Sequence, residues 1–134
     1  MNPLLIVLKV HSVTRYLVLA VAVAALVKLG LGSARRASFA PADRALGSAF
    51  VGLLDLQVLL GLVLVVAGAW YPALAGHVVS MLLAVGLAHS MLIINRRRPQ
   101  PGFALPLVGI GGALLLIAGG LMAIGRGILT AKAL

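Results

Sequence analysis

The sequence predicts an all-α integral membrane protein, a four-helix bundle with both termini outside, and three observations predict it. Of 134 residues, 63% are hydrophobic, where soluble domains run near ~45–50%. The apolar residues fall into four unbroken runs. Each is long enough for a bilayer core of about 30 Å, which takes roughly 20 helical residues. The basic residues cluster between alternate runs, where Lys and Arg orient membrane proteins.

The first span is expected from about Leu4 to Leu31, closing on Gly30 and Gly32. The second runs from about Ala45 to Ala69 and stops at Trp70-Tyr71-Pro72, an interfacial aromatic pair followed by a helix breaker. The third covers about Ala73 to Asn95 and ends at Arg96-Arg97-Arg98-Pro99, and the fourth covers about Phe103 to Ile124. A transmembrane β-barrel would alternate in ten-residue segments, and these runs are continuous. The fourth span carries Gly109, Gly111, Gly112, Gly119, Gly120 and Gly125 and no polar side chain between Phe103 and Ile124. Small residues let helices approach closely in lipid, so this span is expected to pack, within the bundle or against a larger complex or a second copy. Its Gly-Ile-Gly-Gly run is no dinucleotide fingerprint, which needs a preceding strand.

Loop 1 is assigned Lys28, Arg35, Arg36 and Arg44, loop 3 Arg96, Arg97 and Arg98, and loop 2 none. Loops 1 and 3 are therefore expected inside. The net charge of +9 rests against only two carboxylates, Asp43 and Asp55. It is not a nucleic-acid signature, because no basic stripe interleaved with aromatics exists. The chain has no cysteine, which excludes disulfide, iron–sulfur and thiol chemistry. Met1 to Leu8 lacks a basic region before its apolar stretch, so the first span is expected to be retained and to direct insertion. Little chain lies outside the spans, so any chemistry belongs in the bundle.

Ionisable groups inside a span are costly and are functional candidates by default. Here they are His11 and Arg15, Asp55 beside Gln57, and His77 and His89. His11 lies roughly 10 Å and His77 roughly 8 Å below the loop-2 surface, at 1.5 Å per residue. Two imidazoles level with each other on different helices can ligate a b-type haem iron from both sides, and bundles build such sites from facing helices. The same two histidines could instead hydrogen-bond neighbouring helices or each other. Arg15 is one turn from His11 and Met81 one turn from His77, on the same faces. Gly61, one turn from Gln57, leaves a notch for a flat macrocycle. Lys9, Tyr71 and the start of the third span are candidates to meet carboxylates of such a ligand. Arg15 and Asp55 both fall near the midplane, so they are expected to pair, with a proton relay as the alternative. Asp55 and Gln57 lie about 200° apart on their helix and cannot both face the centre. His89, about 18 Å deeper than His77, reads as a hydrogen-bonding core residue or part of a quinone site.

Three segments, His11-Ser12-Val13-Thr14-Arg15-Tyr16, Leu56-Gln57-Val58-Leu59-Leu60-Gly61 and His77-Val78-Val79-Ser80-Met81, resemble a family of small bacterial four-helix membrane proteins labelled cytochrome-b-like. Its pattern is His-Ser-x-x-Arg-aromatic, then Gln-x-x-x-Gly, then His-x-x-x-Met, in this order. The resemblance implies one haem b held by His11 and His77 as iron ligands, with Arg15, Gln57, Gly61 and Met81 in the binding site. It implies a multi-pass protein of the bacterial inner membrane that transfers electrons as a small subunit or partner of a respiratory or quinone-linked complex, rather than a bond-making enzyme. Two features depart from it: Gly76 stands where the family often has an acid, and the chain ends Thr130-Ala131-Lys132-Ala133-Leu134 instead of Pro-Trp. A haem-free accessory subunit and a small transporter or proton-conducting bundle are the competing readings.

Overall fold

A computed structural model describes residues 2–126, and the Thr130 to Leu134 ending lies outside them. Four helices follow in order: α1 (Pro3–Ala34), α2 (Pro41–Val66), α3 (Leu74–Arg97) and α4 (Ala104–Ala123). All four are long and apolar enough to cross a membrane. The protein is thus all-helical among its described residues, with the composition of a multi-pass membrane protein.

Local chemistry sets the helix ends. Asn2 Oδ1 accepts the Leu4 amide at 2.9 Å ahead of Pro3, an N-cap followed by the residue that tolerates the first turn. Helix α2 begins four residues before its expected start. Pro41 opens it, and Asp43 Oδ2 accepts the Ala40 amide at 2.7 Å. Arg98 stands extended at the end of α3, as a residue before proline prefers. The helices α1, α2 and α4 close alike, with Arg36, Gly68 and Gly125 at positive φ and paired back-bonds into the last turn. This is the Schellman closure that favours glycine. The one at Gly68 ends α2 at Val66, short of the expected Ala69.

The bundle consists of two close hairpins, α1 with α2 and α3 with α4, joined by sparser α1–α4 and α2–α3 seams. The backbones of the diagonal helices α1 and α3 do not approach within 8 Å, Cα to Cα, among the described residues. Lipid tails are as apolar as leucine, so close packing rather than water exclusion must hold such helices together. The core accordingly uses small side chains: Ala22, Ala25, Ala84, Ala88 and Ala113 are fully buried around Leu29, Phe50 and Ile110. A Cβ on Gly109 would stand 2.9 Å from Met91 Cβ, so this glycine sets the α3–α4 distance. Helix 4 therefore packs as expected, but its glycines Gly109, Gly112 and Gly120 face α3 of the same chain. The outward face of α4 is left to Val108, Leu115, Gly119 and Met122.

The seven basic residues assigned to loops 1 and 3 gather at one end of the bundle, several of them on helix ends. Lys28 lies within α1 and its ammonium meets the buried Asp43 at 2.5 Å. At the same end Phe39 packs edge-on against Phe103 with ring centroids 5.4 Å apart, and Phe103 lies directly over Gly32. The buried Asn95 accepts the Gly102 amide at 3.0 Å through Oδ1, tying down the α3–α4 loop. The basic end is the packed end.

Candidate functional site

Each helix carries a core-facing stripe, and on α1, α2 and α3 that stripe changes chemistry at the opposite, loop-2 end. On α1 the buried series Leu29, Ala25, Ala22, Val18 leads to Arg15 and His11. On α2 the series Gly47, Phe50, Leu54 leads to Gln57 and Gly61. On α3 Leu92, Ala88, Ala84 leads to Met81 and His77. These six residues line one cavity of about 380 Å³, backed by Ile117 and Leu121 of α4 and reaching Trp70 and Tyr71 at its mouth. The volume falls in the range of small-molecule and cofactor sites, about 300–1,000 Å³. All six residues singled out from the sequence thus meet around one space, with the two histidines contributed by diagonal helices.

His11 is oriented by α2. Its ring lies against Gly61, where a Cβ would come within 3.3 Å of Cε1, and Gln57 Nε2 donates to the His11 carbonyl at 2.7 Å. The space a side chain would take at Gly61 therefore lies against the His11 imidazole, and Gly61 lines the cavity beside it. His11 Nδ1 and Gln57 Oε1 are buried with no hydrogen-bond partner among the described residues. Buried polar atoms rarely go unmatched, so two on one cavity wall mark it as a place for a ligand.

His77 is oriented by α4. Its Nδ1 lies 3.3 Å from the Gly120 carbonyl oxygen. A carbonyl only accepts, so this contact assigns the proton to Nδ1 and leaves the lone pair on Nε2. Two local features make the carbonyl available. The Ile124 amide closes on Leu121 rather than one residue earlier, and the absence of a side chain at Gly120 lets α3 come close. A Cβ there would stand 2.8 Å from Met81 Cε and 2.9 Å from Ser80 Cβ. Gly76 fits the same seam, since its Cβ would stand 3.2 Å from that of Ala123. With Gly76 in place of the family's acid, it is a backbone carbonyl of α4 that orients His77.

The expected Arg15–Asp55 pair is not formed through Asp55. That carboxylate meets His89 Nε2 at 2.8 and 3.0 Å on the α2–α3 side of the bundle, and neither residue lines the cavity. The 200° offset from Gln57 carried the signal: with Gln57 facing the cavity, Asp55 must face away. Arg15 does line the cavity, donates through Nη2 to the Tyr16 hydroxyl at 3.0 Å and lies 4.8 Å from that ring's centroid. Lys9 does not line the cavity, whereas Tyr71 and Arg126 do. Sequence reasoning passed over Arg126 because it lies beyond the fourth span, and it passed over the Lys28–Asp43 pair because both were assigned to a loop. Among the described residues no three His, Cys, Asp or Glu side chains converge on a metal position. Ligation from two axial histidines needs only His11 and His77. No family model, curated protein or solved structure matches this chain.

Proposed function

We propose that this chain is a membrane b-type haem protein, with His11 and His77 as axial ligands and electron transfer within the membrane as its role. The observation that carries the reading is that two histidines from diagonal helices line a single apolar-walled cavity. Each is held by its own neighbour, His11 by Gly61 and Gln57 and His77 by Gly120. The residues fit the group: His77 keeps Nε2 for a metal while Nδ1 donates to a carbonyl, the usual orientation of a ligating histidine, and His11 lines the same cavity from the diagonal helix. Haem would supply one-electron chemistry, and the protein sets ligation and dielectric. Met81, Ile117 and Leu121 give the apolar wall. The segments that resemble the cytochrome-b-like family contribute both histidines, Arg15, Gln57, Gly61 and Met81.

The reading includes the bacterial inner membrane, the basic end in the cytoplasm, and an electron partner in a respiratory or quinone-linked complex docked on the outward face of α4. A second reading, a proton-conducting bundle, is favoured by the Asp55–His89 pair within the spans. A reduced-minus-oxidised visible spectrum of detergent-purified protein separates the two. The expected result is a low-spin b-type spectrum that His11→Ala and His77→Ala each abolish and His89→Ala leaves intact. Absence of a Soret band after reconstitution with haem overturns the haem reading.

A further inference from the structure

The cavity has an apolar body and a cationic mouth, and the mouth is built by the end of α4. Gly125 adopts φ +69°, a conformation that side chains resist. This lets the Arg126 amide fold back onto the Leu121 carbonyl at 2.9 Å while the Gly125 amide meets Met122. Arg126 is part of the cavity lining. It enters the lining at the level of Trp70, Tyr71 and Leu74, the end nearest the bilayer surface. The other cation of the lining, Arg15, lies deeper and is engaged with the Tyr16 hydroxyl and ring.

We propose that Arg126 is the carboxylate-binding group of this site, so that the ligand enters with its apolar ring body toward Met81 and Ile117 and its carboxylate edge toward the mouth. The inference rests on the haem reading and adds orientation and ligand class to it: a planar, apolar macrocycle with acidic substituents on one edge. A guanidinium suits that task because it stays charged and presents paired donors to a carboxylate. A merely structural Arg126 would complement the negative end of the α4 dipole, and it would not distinguish an acid from its ester.

The test compares haem with its dimethyl ester, in which both carboxylates are masked, by visible titration of the detergent-purified apo-protein. Wild type is expected to bind the free acid at least about tenfold more tightly than the ester, a preference of roughly 1.4 kcal/mol. Arg126→Gln should bring that ratio near one, chiefly by weakening the acid. Gly125→Ala, which keeps the arginine but strains the turn that aims it, should shrink the ratio too and covers the case in which Arg126→Gln is too unstable to purify. Equal binding of acid and ester by wild type, or an unchanged preference in both variants, overturns the assignment of Arg126 while leaving the haem reading intact. Failure of wild type to bind either compound overturns both, and the fault then lies with the haem reading.

Discussion

Two adjacent glycines of α4 offer a direct test of how the site is held. A Cβ added at Gly119 meets nothing within 4 Å, whereas one at Gly120 would stand 2.8 Å from Met81 Cε, 2.9 Å from Ser80 Cβ and 3.5 Å from the His77 carbonyl oxygen. Either substitution by alanine removes the helical penalty of glycine, a gain of about 0.5–1 kcal/mol. At Gly119 nothing opposes that gain, so Gly119→Ala should be neutral or slightly stabilising. At Gly120 the new methyl must push α3 away, at an overpacking cost of about 1–3 kcal/mol. It also stretches a His77–Gly120 contact that is already 3.3 Å long, which puts a hydrogen bond of about 0.5–1.5 kcal/mol at risk. With both losses the balance is unfavourable, and Gly120→Ala should be less stable than wild type by about 0.5–4 kcal/mol. Thermal unfolding of the two variants in one detergent measures the difference. With haem bound, Gly120→Ala should also alter the low-spin bands while Gly119→Ala leaves them unchanged. Equal stability of the two variants would refute the argument that Gly120 sets the α3–α4 distance and the orientation of His77.

Three further outcomes are expected. A double-mutant cycle on Asp55→Asn and His89→Gln should show coupling of about 0.5–2 kcal/mol, and the cycle on Asp55→Asn and Arg15→Gln should be additive within ~0.5 kcal/mol; the reverse pattern in detergent unfolding would restore the Arg15–Asp55 pair. Lys28→Met leaves the buried Asp43 with only the Ala40 amide and should cost about 1–3 kcal/mol, whereas Arg35→Met on the same end should cost less than ~0.5 kcal/mol. For orientation, alkaline phosphatase fused in loop 2 near Pro72 should be active and one fused near Gln100 inactive, because Lys and Arg at the ends of spans stay cytoplasmic; activity reversed between the two sites places the basic end outside.

The spans were legible because bilayer thickness imposes a length and a composition that few other folds share. All four expected helices form, with ends displaced by up to four residues. Those displacements come from capping chemistry: Pro41 with Asp43 starts α2 early, and the turn at Gly68 stops it early. The meeting of His11 and His77 around one cavity was legible from depth, since a 1.5 Å rise places residues along a helix without further knowledge. Rotation and partner choice were harder. Asp55 and Arg15 share a depth, yet Asp55 is turned to the α2–α3 seam, where His89 reaches it. Depth alone says nothing of azimuth. The notch at Gly61 was legible as a missing side chain, but not that the His11 ring would lie against it. Arg126 required the positive φ of Gly125, which a glycine permits without announcing.

The pairing of helices bears on how such a site is assembled. Among the described residues Gly61 of α2 lies against the His11 ring and Gln57 of α2 holds its backbone carbonyl, while the carbonyl that orients His77 comes from α4. Each imidazole is therefore aimed by a neighbour within its own hairpin. The cavity then comes into existence only at docking, along seams that are the sparsest in the molecule. A ligand bound by both imidazoles would act as the clasp between the hairpins, and its arrival would be the last step of maturation.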